Sequence, residues 1–149
     1  DGGLQMNIQE LQTIVHYNLP IKLFVLNNNG YLTIKSTQQN HFGRFVGAEK
    51  SSGVTCPDII KVAAAYGLPT ATIVNTEELN MKIDSILQTP GPIVCEIIMS
   101  ENQPLIPRVS SLNKPDGTII SKPIEDLYPF LDREEFFENM IVDPTEILK

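Results

Sequence analysis

The stretch Ile21-Lys22-Leu23-Phe24-Val25-Leu26-Asn27-Asn28-Asn29-Gly30 decides how this chain folds. A short, largely apolar run closed by turn residues suits a strand covered on both faces, as in a parallel α/β sheet. Open sheets of that kind place ligands at the carboxyl edges of their strands, where Asn27 to Gly30 would lie. Working backward, Asn18-Leu19-Pro20 ends a helix, because proline disfavours helix at the residue before it. That helix is predicted over residues 5–17, with Ile8, Leu11 and Val15, and Ile14 beside them, as its apolar stripe. It leads back to Asp1-Gly2-Gly3. Twenty-four residues, Gly3 to Leu26, separate Gly2 from Asn27. A carboxylate beside glycines in one loop and a side-chain amide in the next can hold one hard cation through oxygen ligands. Glycine lets backbone approach a phosphate, and the N–H groups opening the next helix favour negative charge.

Working forward, Tyr31 to Ser36 reads as the start of a short helix. Residues 37–56 read as a long polar loop with Phe42, Phe45 and Val46 as anchors; a loop of that length is often functional. Pro57-Asp58 opens a helix with Ile59, Val62, Ala63 and Tyr66 on one face and Gly67 just past its end. Thr70 to Val74 is a strand. Asn75 caps a helix with Glu77 and Glu78 in its first turn, Leu79, Ile83 and Leu87 on its stripe, and Gln88 near its end. Pro90-Gly91-Pro92 breaks the chain, and Ile93 to Met99 is the last strand.

Alternating strands and helices predict a three-layer α/β domain: a parallel sheet with helices on both faces over residues 1–101. Residues 102–149 form an extended acidic tail. In it Pro104, Pro107, Pro115 and Pro123 punctuate the chain, Pro115-Asp116-Gly117-Thr118 makes a turn, and Asp132 to Val142 forms a short helix. Phe136, Phe137 and Met140 would pack inward, and the tail would wrap over its own or a neighbouring domain.

The net charge of −7 is unevenly spread: residues 1–114 carry nine acids and eight bases, residues 115–149 nine acids and three bases. Nothing resembles a basic nucleic-acid footprint, and no apolar run of eighteen residues marks a membrane span. The acidic tail reads as a solvated face. Cys56 and Cys95 have neither metal nor redox spacing; Cys95, in an apolar run, reads as a small core residue. His16 falls on a helix surface and His41 in a polar loop. A first residue other than Met suggests an excised domain, and no signal peptide is visible.

Asp1-Gly2-Gly3 and Asn27-Asn28, at this interval, resemble the thiamine-diphosphate signature, Gly-Asp-Gly followed about two dozen residues later by Asn-Asn. The stretch from Asp1 to Gly67 resembles the diphosphate-binding domain of acetolactate-synthase-like enzymes. Gln5 to Leu11, Leu19-Pro20-Ile21-Lys22, Val25 to Asn28, and Pro57-Asp58 to Ala65-Tyr66-Gly67 carry the likeness. The resemblance implies thiamine diphosphate held through Mg²⁺ by the Asp1 carboxylate, the Asn28 side-chain oxygen and the Gly30 carbonyl. Backbone N–H groups of Gly2, Gly3, Tyr31 and Leu32 would face phosphate oxygens. Many relatives have a hydroxyl residue where Gly3 stands, so one phosphate hydrogen bond is expected to be absent.

The resemblance also implies parts outside these residues: a first strand before Asp1, a glutamate of a pyrimidine-binding domain that activates the cofactor, and an apolar residue that bends it. No catalytic residue is therefore assigned within the chain, and the fragment alone is expected to be inactive. The pyrimidine domain usually comes from a second subunit, so the parent would be a homo-oligomer acting on a 2-keto acid, with a cytoplasmic location expected. FAD stays open for the parent.

Pyruvate-decarboxylase-type relatives carry a protonating acid six residues after the metal-binding Asn; here that position is Ile34, followed by Lys35. A missing general acid favours attack on a second carbonyl over aldehyde release, hence carboligation from pyruvate. A 2-keto acid decarboxylase and a noncatalytic α/β binding module are the alternatives. Ile34 could also simply pack in the core.

Overall fold

Three short runs rich in apolar and β-branched residues, bounded by turn residues, become three parallel strands. In the computed structural model, which describes residues 2–142, β1 is Lys22–Asn27, β2 is Thr70–Ile73 and β3 is Ile93–Ile98. The sheet order is β1-β3-β2. Phe24 pairs with Cys95 on one side of β3, and Ala71 with Cys95 on the other. The last of the three strands in sequence is thus central and is flanked on both sides. The chain divides into two compact units, Asp1–Gln103 and Pro104–Lys149.

Strand alternation sends neighbouring side chains to opposite faces. On one face Val25 and Val94 join Leu11, Ile59, Ala63 and Leu68, so the helices α2 (Leu11–His16) and α4 (Ile59–Ala65) cover that side. On the other, Ile73, Ile93 and Cys95 join Ile86, which places α5 (Thr76–Gln88) there. Helix, sheet and helix make the three layers. Burying an aliphatic side chain such as Ile59 or Ile73 contributes about 1.5–3 kcal/mol.

Local chemistry sets the helix ends. Asn75 Oδ1 accepts the Glu78 N–H at 2.8 Å and caps α5. Asp58 Oδ1 accepts the Lys61 N–H at 3.0 Å and caps α4. Gly67, at φ 77°, takes the left-handed position after α4.

Several elements depart from expectation. The helix over 5–17 is three pieces: α1 (Gly2–Gln5), a 3₁₀ turn at Ile8–Glu10, and α2. Asn7, in a non-helical conformation before the 3₁₀ turn, separates them. The helix after Gly30 is longer than predicted: α3 runs Leu32–Phe42 and stops where Gly43 turns left-handed at φ 62°. His41 is therefore helical and exposed. Phe42 is 69 % and Val46 63 % exposed, so neither anchors a loop; only Phe45 is half-buried. On α5, Ile86 faces inward and Leu87 is exposed, because a 3.6-residue repeat carries the stripe from Leu79 through Ile83 to Ile86. Cys95 is buried, as its apolar setting predicts, and burial pushes its thiol pKa up.

Within Pro104–Lys149 the Pro115–Thr118 turn closes a two-stranded antiparallel hairpin, β4 (Ser111–Asn113) and β5 (Ile119–Ser121), with Leu112 opposite Ile120. The terminal helix α6 is Arg133–Glu138, shorter than predicted, with Phe136 buried and Phe137 and Met140 half-buried. Asp126 sits fully enclosed. Arg133 donates to both its carboxylate oxygens at 2.9 Å, and Lys122 pairs with it at 2.9 Å. The Arg133 guanidinium, then burial in opposition, then Lys122 set the Asp126 carboxyl, and the net effect is a pKa below the usual carboxylate range.

Candidate cofactor-loop site at the carboxyl edge of the sheet

β1 ends at Asn27, and the chain turns at once through Asn28, Asn29 and Gly30 into α3. Asn28 is 7 % exposed, which is unusual for an amide in a connecting loop. Its Oδ1 accepts the Gly30 N–H at 3.3 Å, which tightens the turn. Asn29 takes φ 57°, a left-handed conformation that asparagine tolerates better than most residues.

The turn meets the N-terminal segment directly. The Gly2 N–H donates to the Gly30 carbonyl at 3.1 Å. A Cβ on Gly2 would stand 2.6 Å from the Tyr31 ring, and one on Gly30 would stand 2.4 Å from the Ala48 carbonyl oxygen. Both glycines are thus required by close approach. Gly30 also bridges to Glu49, and the Tyr31 N–H donates to the Ala48 carbonyl at 2.9 Å.

Of the residues singled out from sequence, Gly2, Gly3, Asn28, Gly30, Tyr31 and Leu32 are described, and the structure ties Gly2, Asn28, Gly30 and Tyr31 into one contact. Asp1 lies outside the described residues. Two of the four backbone N–H groups expected to face phosphate have partners within the chain. Those of Gly2 and Tyr31 are bonded to Gly30 and Ala48, since the packed loop consumes them. Leu32 is the first residue of α3, where the helix's positive end lies. Ile34, on the first turn of α3, is 39 % exposed and is not a core residue.

Lys35 is a residue that sequence reading passed over. Its ammonium pairs with Glu49 at 2.5 Å and donates to the Glu101 carbonyl at 3.1 Å and to Asn102 Oδ1 at 3.2 Å. It thereby ties α3 to the loop before the Lys50–Ser52 turn and to the loop after β3. The Lys35 bond, with help from Ser51, lowers the Glu49 carboxyl pKa. Nothing in the local sequence marks Lys35, because its partners lie 14, 66 and 67 residues away. A cleft of about 230 Å³ opens at the same edge of the sheet, lined by Ile73, Asn75, Leu79, Ile98 and Gln103. Among the described residues, no cluster of His, Cys, Asp and Glu could by itself hold a metal, and no helix is long and apolar enough to cross a membrane.

The fold and this edge define a three-layer α/β domain with its candidate ligand loop at the end of an outer strand. Residues 1–97 match the family model described as thiamine pyrophosphate enzyme, C-terminal TPP binding domain. The chain belongs to that family. It is 32 % identical over 111 residues to an acetolactate synthase large subunit of Cyanidium caldarium, which covers 74 % of this chain and 19 % of the relative. It is 32 % identical over 117 residues to acetolactate synthase 2, chloroplastic, of Brassica napus, covering 74 % of this chain and 18 % of that protein. The acetolactate synthase large subunit of Pyropia yezoensis gives 32 % over 111 residues, again 74 % and 18 %. The chain therefore spans less than a fifth of these relatives, and the part it matches is a TPP-binding domain of acetolactate-synthase-like enzymes.

Proposed function

We propose that this chain is the diphosphate-holding part of a thiamine-diphosphate- and Mg²⁺-dependent carboligase acting on pyruvate and a second keto compound. The observation that supports this most is Asn28, an amide buried at the carboxyl end of β1 beside the Gly2–Gly30 contact.

The donor set fits a hard cation. The Asn28 side-chain oxygen, the Gly30 carbonyl and the Asp1 carboxylate are all oxygen ligands of the kind Mg²⁺ takes. An amide or carbonyl oxygen has two lone pairs. Asn28 Oδ1 can therefore accept the Gly30 N–H and still serve a metal, and the Gly30 carbonyl can do so while accepting from Gly2. In this reading Asp1, Asn28 and Gly30 hold the metal. Leu32 offers its N–H group to phosphate at the positive end of α3. Gly2 and Tyr31 contribute by shape, the ring closing over a glycine that admits no side chain.

When bound, thiamine diphosphate supplies the electron sink for decarboxylating a 2-keto acid. This chain's residues anchor and orient it. Ile34 places a hydrocarbon where a decarboxylase-type relative would place an acid, so α3 offers no proton there. That supports carboligation, as do the acetolactate synthase names of the relatives. The parent is proposed to be at least a dimer whose pyrimidine-binding domain comes from a second subunit, so the chain alone should not turn over pyruvate. A cytoplasmic location is likewise a proposal, set against relatives named chloroplastic.

Thermal melting tests the binding reading. Mg²⁺ and thiamine diphosphate together should raise the melting temperature of the chain, and neither alone should do so as strongly. No shift with both would favour a noncatalytic module.

A further inference from the structure

Glu96 lies on β3, the central strand, paired with Val25 of β1 and Thr72 of β2. It is only 9 % exposed. By alternation it shares the face of Val94, which packs among Leu11, Val25 and Ile59. A carboxylate in such surroundings is costly unless it is bonded, and an aliphatic side chain would pack there at less cost. The bond it makes points to the ligand loop: Oε1 accepts from Asn27 Nδ2 at 2.7 Å.

That bond fixes which end of the Asn27 amide faces the turn. Asn27 Oδ1 then accepts the Asn29 N–H at 3.0 Å. Asn29, in its left-handed conformation, is held from the other side as well, its Nδ2 donating to Glu101 Oε1 at 2.8 Å. Asn28 lies between the two fixed residues. A continuous chain of hydrogen bonds thus runs from the middle of the sheet through the Asn27 side chain to the backbone N–H of Asn29, just past Asn28.

We propose that Glu96 is a positioning residue for the metal-binding turn. Its carboxylate orients the Asn27 amide, and through it the Asn27–Gly30 turn, so that Asn28 Oδ1 and the Gly30 carbonyl converge on one cation. The inference rests on the reading of Asn28 and Gly30 as metal ligands given above.

The test uses the full chain, titrated calorimetrically with Mg²⁺ in the presence of thiamine diphosphate. Glu96→Leu should fold and melt at or above the wild-type temperature, because a buried charge is replaced by hydrocarbon. It should nonetheless bind about tenfold to a hundredfold more weakly, the usual loss when an outer partner of a ligand is removed. Glu96→Gln keeps an acceptor oxygen and should restore affinity to within about threefold. A merely structural glutamate would not separate stability from binding in this way.

Amide exchange in the unliganded chain gives a second readout. Asn29 should exchange about tenfold faster in Glu96→Leu and near the wild-type rate in Glu96→Gln. Wild-type affinity or unchanged Asn29 exchange in a folded Glu96→Leu chain would overturn the proposal. If the wild-type chain binds neither metal nor cofactor, the metal reading fails, and Asn29 exchange still decides the link. Should Glu96→Leu not fold, Glu96→Met, an unbranched side chain with no acceptor oxygen, takes its place. Faster Asn29 exchange in that chain would then support the proposal, and unchanged exchange would overturn it.

Discussion

In Asp1–Gln103 the most enclosed side chains are aliphatic, Ile59, Ile73 and Val94 among them, and they lie on both faces of a parallel sheet. In Pro104–Lys149 the counterpart is a carboxylate, Asp126, clamped by Lys122 and by Arg133, whose guanidinium also stacks on the ring of Phe136. The first unit gains from area removed from water and tolerates imperfect geometry. Among its described residues the second has a hairpin of two three-residue strands and a six-residue helix, too little for an apolar core of similar size. It relies on one bidentate ion pair, whose worth collapses if either partner is lost.

The largest effect that would expose this difference is Asp126→Ala. Leaving Arg133 and Lys122 without their partner should cost about 3–5 kcal/mol, read as lost exchange protection at Phe136 and across the Arg108–Tyr128 bridge. Loss of less than about 1 kcal/mol would mean that the ion pair is not what holds this unit. Acid should act on the same group. The folded Asp126 pKa lies below its unfolded value of about 4, so its contribution is full above that value and fades as pH falls through the folded one. Exchange protection in this unit should therefore drop in acid before protection around Ile73 does.

Next in size, Ile73→Ala should cost the sheet about 2–4 kcal/mol, through lost transfer energy and the cavity left beside Ile86 and Cys95. Chemical denaturation followed by exchange at β2 and β3 amides checks it. A smaller effect sharpens the account of how α5 starts: Asn75→Ala should cost about 1 kcal/mol, since the Glu78 N–H loses its cap. An Asn75→Asp change should restore most of that loss.

The same contrast explains what the sequence could show. Strands β1, β2 and β3 are legible because each is an apolar run between turn residues, and burial on both faces needs no alternation. The caps at Asp58 and Asn75 are legible because they act over three residues. The loop pair around Gly2 and Asn28 is legible from spacing and resemblance. The full length of α3 is not: Gln38, Gln39, Asn40 and His41 are polar on every side, so no stripe announces the helix. Neither is the Asp126 clamp, since a lone Asp with a Lys four residues before and an Arg seven after reads as a solvated acidic tail. Glu96 escaped for a related reason. A glutamate in the run Ile93 to Met99 reads as an outward strand position, and only the register with Val25 and Thr72 shows it buried.

Asn28, with Gly30, is proposed to hold a metal for a diphosphate cofactor at the end of β1. Titration of thiamine diphosphate into the chain with Mg²⁺ present, compared with the Asn28→Ala chain, tests it most directly. A Mg²⁺-dependent heat of binding is expected in the wild type and is lost in Asn28→Ala, with the exchange protection of β1 and β3 retained. Undiminished Mg²⁺-dependent binding in Asn28→Ala would contradict it.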